Sequence, residues 1–122
     1  IDHFKKVNDT YGHLAGDHIL REVAHLVRSR IRRGEVFGRY GGEEFALLLP
    51  ETNMQGTLTL ANELRTIVAD AELTFDSQRI PITISLGVAQ WTPTIRTAEE
   101  FIRVADAKLY QAKREGRNRV AE

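Results

Sequence analysis

Val36-Phe37-Gly38-Arg39-Tyr40-Gly41-Gly42-Glu43-Glu44-Phe45-Ala46-Leu47-Leu48-Leu49-Pro50 is the stretch on which the fold turns. Two short apolar, strand-like runs flank a Gly-Gly pair. Glycine tolerates the positive φ of tight turns, so the pattern predicts a hairpin. Two adjacent carboxylates, Glu43 and Glu44, then stand at its tip beside backbone that lacks Cβ bulk. Hard divalent ions such as Mg²⁺ take carboxylate and phosphate oxygens, and a bare glycine turn lets a phosphate or purine come close. Taken alone, the motif is read more simply as a solvated hairpin tip with two surface glutamates.

Helical patterns lie on both sides of the hairpin. A first helix is predicted from near Gly16-Asp17, with Asp17 as N-cap and Ile19, Val23, Leu26, Val27 and Ile31 as its apolar stripe. Thr52 with Gln55 has capping-box spacing and opens a second helix striped by Leu60, Leu64, Ile67 and Val68. Ile80 to Trp91 reads as strand, with Leu73 to Phe75 in a short adjoining one. Thr97 with Glu100 starts a third helix carrying Phe101, Ile102, Ala105 and Leu109, which Gly116 closes, and Arg119-Val120-Ala121 reads as a final edge strand. Helices segregated from an antiparallel hairpin indicate an α+β sheet domain. A βαββαβ order would need one more strand before the first helix, so the chain is expected to start just after that strand.

Composition narrows the function. The 122 residues suit one domain, 1–122, with no linker or repeat to divide it. Seventeen basic and seventeen acidic residues cancel, so no net field draws the chain onto nucleic acid or a membrane surface. Any nucleotide must be held by locally placed groups. Without cysteine there are no disulfides or thiolate metal sites. No apolar stretch approaches the ~20 residues that cross a bilayer.

Two further segments carry candidate chemistry. Residues 4–17 form a polar, glycine-punctuated stretch read as a connection. Within it, the Asn8 amide suits guanine O6 and the Asp17 carboxylate suits the N1 and N2 amines, while Lys5 suits a phosphate. The plainer reading makes Asn8 and Asp9 turn residues and Asp17 a helix cap. Lys113-Arg114-Glu115-Gly116-Arg117-Asn118-Arg119 ends a helix with basic residues, as the helix dipole favours, or as a cationic clamp on a triphosphate. The four histidines show no metal-ligand spacing.

Taken in order, these blocks resemble the GGDEF family of diguanylate cyclases, bacterial enzymes that join two GTP molecules into cyclic di-GMP. The resemblance rests on residues 2–17 (DHFKKVNDTYGHLAGD), 39–45 (RYGGEEF), 84–89 (ISLGVA) and 105–118 (ADAKLYQAKREGRN), and so spans nearly the whole chain. It implies a ferredoxin-like, nucleotide-cyclase-type antiparallel sheet with flanking helices. Glu43 matches the acid that ligates Mg²⁺ (or Mn²⁺) nearest the reacting 3′-hydroxyl, and Glu44 the supporting acid. Gly41 and Gly42 match the turn against which nucleotide sits, and Asn8 and Asp17 the guanine-reading pair. Phe4, through its backbone, Lys5, Lys113 and Arg117 match the triphosphate-holding groups. The family further implies a homodimer joined through the active-site face, an N-terminal sensor domain, a cytosolic catalytic domain whose full-length protein can be membrane-anchored, and a role in signalling and biofilm formation.

Two departures from the family pattern stand out. The family places a metal-binding Asp two residues before Asp2, ahead of Ile1, and the isolated fragment is therefore expected to be unstable or inactive. Arg32 and Glu35 lie in register with the Arg-x-x-Asp product-inhibition site, with Glu in place of Asp. A charged loop between helix and strand explains this pair equally well. The rivals to a cyclase are a catalytically silent domain sensing GTP or cyclic di-GMP, a structural dimerisation domain, and a related cyclase making another cyclic nucleotide. Asn8, Asp17 and Glu43 together favour the guanine-using enzyme.

Overall fold

Residues 1–122 are all described by a computed structural model. Four helices, α1 (Phe4–Tyr11), α2 (His13–Arg28), α3 (Met54–Asp70) and α4 (Ala98–Arg114), alternate with six short strands. The strands are β1 (Val36–Arg39), β2 (Phe45–Leu48), β3 (Thr74–Phe75), β4 (Gln78–Arg79), β5 (Leu86–Gly87) and β6 (Val120–Ala121). β1–β2 and β3–β4 are antiparallel hairpins, whereas β5 and β6 pair in parallel. The architecture is α+β, and no helix is long and apolar enough to cross a membrane.

One core joins these pieces. Ile19, Val23 and Val27 of α2 meet Leu64 and Val68 of α3 over Ile80, Ile82 and Ile84. Each such side chain contributes about 1.5–3 kcal/mol on full burial. Residues 80–84 alternate buried and outward positions, the period of an extended strand.

The structure corrects the expected elements in four places. Residues 4–16 are not a connection. They form α1 and the first turn of α2, hinged at Gly12, where φ is 92°. Asp17 is thus the fifth residue of α2 and not its cap. The hidden helix is polar because it packs chiefly on α2 and buries only Val7. Asn53, not Thr52, caps α3, its side chain accepting from Gly56 N–H at 2.8 Å. The expected strand from Ile80 to Trp91 is laddered only at Leu86–Gly87, since the Asp2 amide, bonded to Thr83 O at 2.9 Å, is the backbone donor that residues 81–85 meet from outside. Gly41 and Gly42 close the hairpin without positive φ, because Tyr40 and Gly41 N–H both bond back to Glu44 O in a wider turn.

Other expectations hold. Thr97 accepts from Glu100 N–H at 3.1 Å at the start of α4. At its end, Gly116 N–H donates to Lys113 O and Arg117 N–H to Ala112 O, the paired bonds of a Schellman close. Gly116 has φ 125°, which a side chain would resist. Of the predicted α4 stripe, Ile102 remains exposed, and Ala112 is the residue α4 buries fully.

Candidate functional site

Chain start, hairpin tip and the end of α4 converge. Ile1 N donates to Glu43 O at 3.2 Å, which sets residue 1 against the hairpin apex. Asn118 N–H donates to Asp2 Oδ2 at 3.0 Å, which brings the close of α4 to the same place. Phe4 and Lys5 follow directly in the first turn of α1, where the amides of Phe4, Lys5 and Lys6 have no backbone acceptor. Free N–H groups at a helix start, beside a lysine, suit an anion.

The hairpin tip is held by its own side chain. Arg39 Nε donates to Gly41 O at 3.0 Å and Nη2 to Gly42 O at 2.7 Å. Nothing lies within 4 Å of where a Gly42 Cβ would stand. The glycines therefore supply open approach at the tip instead of a special φ.

Asn8 lies against Gly16 where α1 packs on α2. Asn8 packs flat on Gly16, the residue before Asp17. A Cβ at Gly16 would overlap Asn8 Oδ1 and stand 3.2 Å from the Phe4 ring. Gly16 thus leaves room for the half-buried Asn8 amide, and Asp17, the next residue, is exposed. At the other end, Lys113 and Arg117 are both half-buried around the close of α4.

Arg32 and Glu35 lie apart from this group, at the turn before β1. Glu35 Oε1 accepts from Arg32 N–H at 2.6 Å, and Glu35 N–H returns to Arg32 O at 3.1 Å. Its carboxylate closes its own turn, while the Arg32 side chain is exposed.

Three contributors escaped the sequence reading: Gly16, Arg39 and Asp2. Asp2 is 4% exposed, the buried charged residue of the chain. Ser85 Oγ donates to its Oδ1 at 2.6 Å, and Thr83 Oγ1 and Asn118 N–H donate to Oδ2 at 2.7 and 3.0 Å. Burial raises its pKa, but these three hydrogen bonds outweigh burial and hold it below 3.8. A sequence signal existed: Thr83 and Ser85 place two hydroxyls on the face opposite Ile82 and Ile84, where they need an acceptor.

Comparisons with known proteins bear on the family and the fold. The family model described as diguanylate cyclase, GGDEF domain, matches residues 1–119. Diguanylate cyclase A of Treponema denticola is 41% identical over 120 residues, which cover 98% of this chain and 32% of that protein. The chain thus spans about a third of that relative. The crystal structure of the GGDEF domain of DgcB from Caulobacter crescentus, in complex with c-di-GMP, superposes with a TM-score of 0.94 at 39% identity, covering 99% of this chain and 72% of that one. The active GGEEF domain of a diguanylate cyclase from Vibrio cholerae gives a TM-score of 0.89 at 35% identity, covering 99% and 76%.

Proposed function

The chain belongs to the GGDEF domain family of diguanylate cyclases, and from that premise we propose that it is a catalytic domain condensing two GTP into cyclic di-GMP with release of two pyrophosphates. The observation that carries this reading is the convergence of the Glu43 hairpin tip and the close of α4 on residues 1 and 2, directly before the Phe4–Lys5 turn. The Vibrio cholerae domain described as active carries the motif GGEEF, which Gly41 to Phe45 repeat.

Each residue has a task in this reading. Asn8 donates to guanine O6 and Asp17 accepts from N1 and N2. Lys5, the free amides of the first α1 turn, Lys113 and Arg117 hold the triphosphate. Glu43 stands nearest the 3′-hydroxyl and Glu44 supports it, while the open Gly41-Gly42 backbone admits the nucleotide. The 3′-oxygen of one GTP attacks the α-phosphorus of the other. The bond to the β-phosphate breaks, and the hydroxyl proton leaves toward the Glu43 side. Catalysis is by positioning and charge neutralisation.

The donor set fits Mg²⁺. That ion is ordinarily held by one or two carboxylates, with substrate phosphate and water completing its shell. Glu43 would be the side chain that holds it. When bound, Mg²⁺ (or Mn²⁺ in its place) neutralises phosphate charge and favours loss of the 3′-hydroxyl proton.

Each domain binds a single GTP, so two copies must face each other with antiparallel nucleotides, and the active species is a homodimer. We place the domain in the cytoplasm, where GTP is available, under the control of an N-terminal sensor domain. Arg32 with Glu35 forms a weak product site, because guanine must compete with the Arg32 N–H for the Glu35 carboxylate. The test is product formation by the full-length protein from GTP and from ATP with Mg²⁺, across a range of protein concentrations. Cyclic di-GMP from GTP, with specific activity rising as dimers form, is expected. GTP binding without product would make the domain a sensor.

A further inference from the structure

Arg117 sits in an unusual piece of backbone. It and Asn118 are consecutive non-glycine residues with left-handed φ, 64° and 47°, directly after Gly116 at 125°. L-residues resist this conformation, and it persists only where the surroundings impose it. Three contacts do so. Asn118 N–H donates to Asp2 Oδ2 at 3.0 Å, Arg65 Nη1 donates to Asn118 Oδ1 at 3.2 Å, and Arg119 Nε donates to Arg117 O at 3.1 Å. Asp2 is the buried member, and its other bonds, to Thr83 and Ser85, tie the turn to the extended segment running into β5.

The chemistry explains why an acid stands at position 2. Three donors converge on one buried group, and a carboxylate is the side chain that accepts from all of them without presenting an N–H. An amide of the same shape offers one uncharged accepting oxygen in place of two charged ones, which weakens the hold on Asn118 N–H and loosens the turn that carries Arg117. Asp2 also precedes the Phe4–Lys5 turn by two residues, so the same side chain locks the two phosphate-holding segments together.

We infer that Asp2, assisted by Arg65, is a positioning residue that sets the Arg117 guanidinium for a nucleotide triphosphate by holding the Gly116–Asn118 turn in its left-handed form. The inference rests on the reading of Arg117 as a phosphate ligand. Asp2 contacts no substrate itself.

The test is calorimetric titration of the full-length protein with a non-hydrolysable GTP analogue and Mg²⁺. Wild type is compared with Asp2→Asn, Arg65→Ala, Arg117→Ala and the doubles Asp2→Asn/Arg117→Ala and Arg65→Ala/Arg117→Ala. Asp2→Asn is expected to raise Kd about tenfold and Arg65→Ala about two- to threefold, each at unchanged stoichiometry. In the Arg117→Ala background both effects should vanish, because the group they position is gone. A purely structural role instead lowers the binding-competent fraction and leaves Kd alone. Arg65→Ala touches an exposed bond, so it remains informative if Asp2→Asn does not fold. Unchanged Kd in both single variants, or effects that persist without Arg117, overturns the inference. If Arg117→Ala itself leaves Kd unchanged, the phosphate-ligand reading fails instead.

Discussion

The corner proposed for the purine and the turn proposed for the phosphates hold their side chains by opposite means. At the corner, Asn8 is placed by shape: it lies on a helix surface that Gly16 keeps bare. At the turn, Arg117 is placed by hydrogen bonds that pull strained backbone onto a buried carboxylate. The corner is local, with Asn8 and Asp17 nine positions apart. The turn is closed by Asp2 and Arg65, 116 and 53 positions from Asn118. Steric placement fails abruptly when one methyl is added, whereas hydrogen-bonded placement loosens by degrees as its bonds are removed.

Gly16→Ala should therefore have the largest effect. Its methyl overlaps Asn8 Oδ1, and α1 must shift. Overpacking of this kind costs about 1–3 kcal/mol, against which the helix preference of alanine returns up to about 1 kcal/mol. GTP affinity should fall at least tenfold, while the helix content seen by circular dichroism stays near wild type. Unchanged GTP affinity would show that Asn8 does not read the purine.

At the turn, Asp2→Ala should cost about 1–3 kcal/mol of unfolding free energy in urea, the cost of orphaning buried donors. The pH dependence follows from the sign of the Asp2 shift. Its folded pKa lies below 3.8, so its stabilisation is complete above about pH 4 and is lost as pH falls through the folded value. Removing the carboxylate should flatten that acid limb of the stability profile, and an unaltered limb would assign it to other groups.

Gly116→Ala should cost about 1 kcal/mol, because φ at this position is 125°. Arg39→Ala should be the smallest in stability, roughly 0.5 kcal/mol, since its two bonds to the tip carbonyls are exposed. Its signature is a several-fold loss of GTP turnover with nearly unchanged thermal unfolding. Parallel loss of both would make the arginine a structural strut only.

The sequence was legible where structure is local. The hairpin, the Thr97 cap and the Gly116 close each follow from residues within a few positions of one another. α1 was hidden because its composition is that of a loop and its one buried residue, Val7, finds its partners in other elements. The strand after Ile80 shows its period in Ile80, Ile82 and Ile84, but ladder formation depends on a neighbour that no local pattern specifies. The candidate site was legible through its motif residues, whereas Asp2 was not. An aspartate near a chain start carries no mark of the hydroxyls at 83 and 85 that bury it.

Turnover of GTP with Mg²⁺ by the full-length protein, set beside the same protein with Glu43→Ala, tests the cyclase reading most directly. The expected result is cyclic di-GMP and pyrophosphate from the wild type and neither from the variant, with GTP binding retained in both. Product formation that survives Glu43→Ala, or none from wild type at concentrations that permit dimers, would contradict it.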